Sequence, residues 1–201
     1  ENGDELTPLV AAVRHVHVDI VELLLSHDAD MEISNSSPIL TACLRSDYPI
    51  VKLLVDYGDD VNEMSSNGNT PLIIALSRNA FDIAKLLILQ GADINAKPGE
   101  SESPLFLATR ANKPELVKLL LTHGAEVDER NASRDTCLIV ATEKGYVSIV
   151  KLLLEHGADV NKKGGDYDPP IFIAECQKNF KLVKLLLKHG ANVKDTLYSF
   201  V

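Results

Sequence analysis

The sequence has no tryptophan, few other aromatic residues and only three cysteines. Cys43, Cys137 and Cys176 lack the Cys-x-x-Cys spacing of a zinc or redox site, so neither a disulfide framework nor a structural metal is indicated. We therefore expect a reducing, cytoplasmic compartment, with a nuclear or host-delivered protein as the alternatives. No apolar run approaches the roughly 20 residues that a membrane-spanning helix requires, so none is predicted.

Basic residues are also scarce, above all in the first third of the chain. The sequence holds 20 Lys and Arg against 29 Asp and Glu, a formal charge of −9. Residues 1–69 contain 13 acidic residues but only Arg14, Arg45 and Lys52, whereas residues 70–201 are nearly neutral. Because phosphate binding requires clustered Lys and Arg, this composition argues against nucleic acid as the partner.

What the sequence has in abundance is repetition. Segments close to Val-Lys-Leu-Leu-Leu-x-His-Gly-Ala-Asp begin at residues 21, 51, 84, 117, 150 and 183, in steps of 30, 33, 33, 33 and 33 residues. Segments close to Thr-Pro-Leu begin at residues 7, 37, 70, 103, 136 and 169, each with an alanine five residues later. The two series of segments keep a constant offset from each other, which indicates six tandem structural units.

Each unit predicts two helices. Thr or Ser followed by Pro is typical of an N-cap with proline at the first helical position, and in the third unit this predicts a short helix over about Thr70–Arg78. The second helix has apolar residues at helical spacing and ends at a glycine such as Gly58, which accepts the left-handed conformation. Asp28 takes the glycine position in the first unit. About a dozen polar residues then lead to the next unit.

These motifs closely resemble the ankyrin repeat, a 33-residue unit with the signature Thr-Pro-Leu-His-x-Ala. The resemblance implies an all-α solenoid of stacked helix-turn-helix units with β-hairpin fingers. It also implies a single domain over residues 1–195, followed at 196–201 by a tail or a truncated further repeat. The units span about 1–31, 32–64, 65–97, 98–130, 131–163 and 164–195. The signature His is absent from every copy, and Cys137 and Pro169 replace the usual Pro and Thr, with Asp168 as a substitute cap.

No catalytic or metal constellation is predicted. His27, His123, His156 and His189 recur at one repeat position, but packed helices lie about 8–10 Å apart and a metal lies about 2 Å from its ligands, so hydrogen bonding at helix ends is the better interpretation. The cysteines occupy unrelated positions and are expected to be core or half-buried. Since no strand–Gly-rich loop–helix motif is present either, we predict neither an enzyme nor a cofactor.

The resemblance implies that partners bind the finger tips and the exposed face of the first helices. Tyr167 is a candidate aromatic anchor among the finger residues. The basic residues at the ends of the first helices predict a cationic column that would take an acidic or phosphorylated peptide, although a cation at a helix C-terminus is stabilising by itself, by about 0.3–1 kcal/mol. The candidate contacts are Arg14, Arg45, Arg78, Arg110, Lys144, Asn67, Asn69, Glu100, Glu102, Asp135 and Tyr167.

We therefore predict a non-catalytic, monomeric protein-interaction (scaffold or adaptor) domain that binds a protein or peptide through its concave groove and finger tips. One alternative is a regulatory or targeting domain of a larger enzyme, channel or effector. Another is a nucleotide- or small-ligand-binding array that uses the basic column and Tyr167. Asn62, Asn95 and Asn161 resemble the ankyrin asparagine that a cytosolic hydroxylase modifies, and the alternative is that they stabilise the fingers.

Overall fold

The computed structural model describes residues 7–31, 37–97, 102–165 and 168–193. It divides the chain into two compact units, each larger than one repeat: Glu1–Ser101 (unit 1) and Glu102–Val201 (unit 2). Within these described ranges each unit has three helix pairs, in which a first helix of seven or eight residues precedes a second helix of nine. The predicted all-α class is confirmed. The single domain predicted over residues 1–195 stays a prediction, and the predicted tail at 196–201 lies outside the described residues.

The helices follow the order that the repeats predict. Unit 1 comprises α1 (Pro8–Arg14), α2 (Val18–Ser26), α3 (Pro38–Arg45), α4 (Tyr48–Asp56), α5 (Pro71–Ser77) and α6 (Phe81–Leu89). Unit 2 comprises α7 (Pro104–Arg110), α8 (Pro114–Thr122), α9 (Cys137–Glu143), α10 (Val147–Glu155), α11 (Pro170–Cys176) and α12 (Phe180–Lys188).

Hydroxyl side chains begin most of the first helices, as predicted. Each accepts the backbone N–H three residues later at 3.2–3.4 Å, which satisfies one of the free donors of the helix start. These caps are Thr7, Ser37, Thr70 and Thr136. Ser103 is at the N-cap of α7 without such a bond, and Pro169, rather than Asp168, occupies the N-cap of α11.

The second helices end in a left-handed residue. Gly58 has φ of 91°, and the glycines at the same position of the later repeats are similar. Asp28 adopts φ of 58° at this position in the first repeat, a conformation that costs more for a residue with a Cβ. The glycine ends predicted from the sequence are therefore confirmed.

The core of each unit lies between its two rows of helices. In unit 1, α1, α3 and α5 pack side by side and α2, α4 and α6 form the second row; unit 2 repeats this with α7, α9 and α11 and with α8, α10 and α12. The recurring alanine, such as Ala42 or Ala141, is fully buried and lets neighbouring first helices approach closely. Larger apolar residues such as Leu54 and Leu153 fill the space between the rows.

The loops between repeats are turns. Ser65 N–H donates to the Asn69 carbonyl at 3.0 Å, and Asn131 N–H donates to the Asp135 carbonyl at the same distance. Across residues 7–31, 37–97, 102–165 and 168–193 no β-strand is present. The fingers thus reverse direction at their tips, and a strand ladder in them stays a prediction.

Asparagine side chains join consecutive repeats within a unit. Asn62 Nδ2 donates to the Gly91 carbonyl at 3.3 Å, and its Oδ1 accepts the Asp93 N–H at 2.7 Å. Asn161 bonds Gly190 and Asn192 in the same way, at 3.2 and 2.8 Å. These contacts support the stabilising interpretation of the two asparagines.

We expect Asn62→Ala to lower the free energy of unfolding by about 1–2 kcal/mol, because two hydrogen bonds between repeats are lost. Asn67→Ala, at the exposed tip of the same loop, is the matched control and should change stability by less than about 0.5 kcal/mol. Urea unfolding followed by circular dichroism measures both. Equal midpoints for the two variants would show that the Asn62 bonds contribute nothing.

Candidate functional site

Three arginines mark the ends of the first helices in unit 1. Arg14 is the last residue of α1, Arg45 is the last residue of α3, and Arg78 directly follows α5. All three are exposed, and among the residues that the structure describes none of them forms an ion pair. Because α1, α3 and α5 are neighbours, we call these residues the unit 1 arginine row.

The equivalent basic positions of unit 2 are paired internally. Arg110 donates to Glu102 at 2.6 Å, and the Lys144 ammonium lies 3.6 Å from the Glu143 carboxylate. At the end of the third first helix of this unit, Gln177 directly follows α11. Its side-chain Nε2 donates to the Glu143 carbonyl at 2.7 Å. The five predicted basic residues thus form two different surfaces.

The acidic residues of unit 1 lie outside the first helices, whose ends carry the arginine row. Helices α1, α3 and α5 contain no Asp or Glu. The acidic residues in its described part lie on the second helices, at the start of α4 and in the loops that follow the second helices: Asp19, Glu22, Asp28, Asp30, Asp47, Asp56, Asp59, Asp60, Glu63, Asp82 and Asp93. The first helices of this unit are thus free of acidic residues, whereas Asp19, Asp47 and Asp82 lie at the starts of the second helices, within five residues of the arginines.

The finger residues differ in how far a partner can reach them. Asn67 is exposed at the tip of its loop, whereas Asn69 is half-buried and its N–H donates to the Ser65 hydroxyl at 3.0 Å. Glu102 is half-buried in its ion pair with Arg110. Glu100 and Tyr167 lie outside the described residues.

Asp135 is the buried member of the predicted set of contacts. Its side chain is 6% exposed, and its carboxylate accepts the Gly165 N–H at 3.3 Å. A Cβ on Gly165 would collide with the backbone carbonyl oxygen of Ser133, so the two loops meet where only glycine fits. Asp135 therefore holds neighbouring loops together.

The recurring histidines have the structural role that was predicted. The Nδ1 atoms of His27, His123, His156 and His189 lie 2.8–3.0 Å from the carbonyl oxygen four residues earlier. Because a carbonyl only accepts, Nδ1 carries the proton in each of these bonds. No group of three or more metal-ligating side chains occurs in the described part of the chain.

Two of the three thiols are buried and inert. Burial, with the charge of Asp59 as a smaller cause, raises the pKa of Cys43 to about 12, and burial raises the pKa of Cys137 further. Neither thiol is therefore available as a thiolate nucleophile at neutral pH. Cys176 is exposed, so the expectation of a core or half-buried position is wrong for this residue, which ends α11 at the repeat position where Leu44 and Ser77 are also exposed.

Asp59 is a residue whose importance the sequence analysis missed. It occupies the position after the glycine where the other five repeats have alanine, and one of its carboxylate oxygens is buried with no hydrogen-bond partner among the described residues. Burial, and then the negative charges of Glu63 and Asp60, raises its pKa to about 7, against backbone hydrogen bonds from Asp60 and Ile39 that lower it. Alignment of the repeats is the signal that would have revealed it.

Models of known protein families match most of the chain. A model of ankyrin repeats in three copies matches residues 30–98 and 96–164, and a model of a single ankyrin repeat matches residues 4–36. The chain belongs to the ankyrin repeat family. Ankyrin repeats are generally protein–protein interaction modules and are generally non-catalytic.

Solved ankyrin repeat domains have the same fold. The human ASB11 ankyrin repeat domain is 28% identical, with a TM-score of 0.72 over 94% of this chain and 86% of that one. An ankyrin repeat domain from Acinetobacter baumannii AYE is 24% identical, with a TM-score of 0.82 over 92% of this chain and 98% of that one. Comparison with curated protein sequences gives no match.

A second surface of unit 1 is a groove on its second helices. Tyr48 of α4 and Asp82, Lys85, Leu86 and Leu89 of α6 line a volume of about 300 Å³. Its lining combines the two leucines with the polar groups of Tyr48, Asp82 and Lys85. None of the described ankyrin helices is long and apolar enough to cross a membrane.

The cysteines of the ankyrin fold should differ in reactivity. In the native chain we expect a thiol reagent such as Ellman's reagent to label Cys176 rapidly and to leave Cys43 and Cys137 unmodified, because burial keeps both protonated and shielded. Labelling followed by mass spectrometry measures this, with urea-unfolded protein as the control in which all three react. Rapid native labelling of Cys43 would contradict its burial.

Asp59 should make stability depend on pH. Its pKa is about 7 in the folded chain, above the ordinary value of 3.8, so the folded state binds this proton more tightly than the unfolded state does. As the pH rises from about 4 to 7 the carboxyl therefore increasingly lowers the stability of the fold. We expect Asp59→Ala to raise the melting temperature more at pH 8 than at pH 5, and Asp59→Asn to show the same trend. Melting curves of the three proteins at both pH values measure this; a gain that is equal at pH 5 and pH 8 would contradict it.

Proposed function

We propose that this chain is a non-catalytic, monomeric recognition module that binds a protein or peptide through the exposed ends of its first helices and its finger tips. The observation that carries the proposal is the arginine row of unit 1, which is exposed and has no ion pair among the described residues. Arginine is among the residues that dominate the energies of protein interfaces. A charged side chain that forms no ion pair within the chain is available to a ligand. The protein-binding role that is general for ankyrin repeats supports the same conclusion.

An exposed apolar residue beside the row also supports a protein ligand. Leu44 precedes Arg45 on α3 and is 47% exposed. An apolar side chain next to a cation is the combination that a peptide contacts with both its own apolar and its acidic residues. The buried, protonated thiols Cys43 and Cys137 offer no nucleophile, which supports a non-catalytic role.

A cytoplasmic location is part of the proposal. Three free cysteines, one of them exposed, are typical of a reducing compartment. The absence of paired cysteines in the described fold is consistent with this assignment, since it leaves thiols that an oxidising compartment would modify.

A peptide-display selection against the purified chain tests the proposal, and a pair of exposed leucines identifies the surface. We expect Leu44→Ala, on a first helix, to weaken a selected peptide about tenfold, because it removes buried apolar contact in the complex. Leu23→Ala, on a second helix where the side chain is 59% exposed, is the matched control and should change affinity less than twofold. Isothermal titration calorimetry measures both constants.

Two results would contradict the proposal. One is a selection that yields no peptide above background. The other is a set of peptides that Leu23→Ala weakens and Leu44→Ala does not, which would place binding on the second helices.

A further inference from the structure

We propose that the unit 1 arginine row binds an extended acidic peptide whose carboxylates recur at every third residue. This inference rests on the proposed function, since it assumes that the ends of the first helices bind peptide, and it specifies the chemistry of the ligand. Three features of unit 1 carry it: the unpaired arginines, the spacing of the helices that present them, and the exclusion of acidic residues from those helices.

The first feature is the availability of the guanidinium groups. Arg14, Arg45 and Arg78 are exposed, and each lacks an ion pair to any residue in 7–31 or 37–97. A guanidinium presents a planar fork of donors that matches a carboxylate in two parallel hydrogen bonds. Each arginine can therefore bind one carboxylate of a ligand without breaking an internal contact.

The second feature is spacing. Side-by-side helices lie about 8–10 Å apart, so cations at the ends of α1, α3 and α5 recur at about that interval. A polyproline II chain rises about 3.1 Å per residue with three residues per turn, so its residues i, i+3 and i+6 share one face at intervals of about 9 Å. A β-strand places side chains on one face about every 7 Å instead. The row therefore fits an extended ligand of period three.

The third feature is the absence of acidic residues from the helices that carry the row. The first helices of unit 1 have no acidic residue, although residues 1–69 carry 13. An anionic ligand on the row consequently meets no carboxylate of α1, α3 or α5. In the repeat alignment the exposed His15 occupies the position of Arg45 and Arg78, and Arg14 lies one position earlier at the same helix end.

Unit 2 provides the internal comparison. Its two basic residues at these positions are paired with Glu102 and Glu143, and Gln177 takes the third position. A ligand carboxylate would have to displace Glu102 from Arg110, so the net binding free energy at this position is smaller. The acidic ligand is therefore expected on unit 1 and not on unit 2.

Fluorescence anisotropy with two peptides of one composition tests the inference. The spaced peptide is Glu-Pro-Pro-Glu-Pro-Pro-Glu, which favours polyproline II, and the blocked peptide is Glu-Glu-Glu-Pro-Pro-Pro-Pro. We expect the intact chain to bind the spaced peptide at least fivefold more tightly. Arg45→Ala should weaken the spaced peptide about fivefold, the effect of one charge pair, and Arg45→Ala/Arg78→Ala should weaken it further.

Matched variants separate the row from general charge effects. Arg110→Ala and Lys144→Ala, at the same helix ends in unit 2, and Lys52→Ala, an exposed cation on α4, should each change the affinity less than twofold. Melting temperatures of all variants should stay within a few degrees of the intact chain, because these side chains are exposed.

Three results would overturn the inference. They are equal affinity for spaced and blocked peptides, an equal loss from Arg110→Ala and Arg45→Ala, and displacement of the peptide by inorganic polyphosphate at a lower charge concentration than by unlabelled spaced peptide. The last result would indicate a polyanion surface. If any of them occurs while Leu44→Ala still weakens the selected peptides, the inference about acidic ligands fails and the proposed recognition function stands.

Discussion

The close approach of neighbouring first helices is the constraint on which the rest of this structure depends. A helix pair of this size cannot bury its apolar face alone, so each pair is stabilised by the next one in the row. The buried alanine of each first helix permits that approach, and the Thr-Pro or Ser-Pro start fixes where the helix begins. Once these positions are set, the ends of the first helices recur at regular intervals along each unit.

That regularity turns single residues into surfaces. One arginine at a helix end is a local stabilising feature, because it interacts with the free carbonyl groups there. Three of them on adjacent helices of unit 1 make a cationic row, since their helices contain no acid to neutralise them. In unit 2 the same positions are neutralised by Glu102 and Glu143. The fold is thus repeated, whereas the electrostatic surface is specific to each unit.

The repeats predicted the helices, the hydroxyl caps, the glycine ends and the histidine bonds, because these depend on residues within a few positions of one another. The burial of Asp135 was not predictable, because it depends on how closely the next loop approaches at Gly164 and Gly165. The pairing of Arg110 with Glu102 depends on side-chain direction across eight residues. The position of Asp59, by contrast, was visible in the repeat alignment as the one carboxylate in a column of alanines.

The proposed recognition surface is formed by the first-helix ends of unit 1. Titration of the isotope-labelled chain with the spaced acidic peptide, followed by amide chemical shifts, locates the residues that bind. We expect the largest shifts at residues 14–16, 45–47 and 78–80 and small shifts at 110–112 and 144–146. Shifts of equal size in the two units, or shifts concentrated on the second helices, would contradict it.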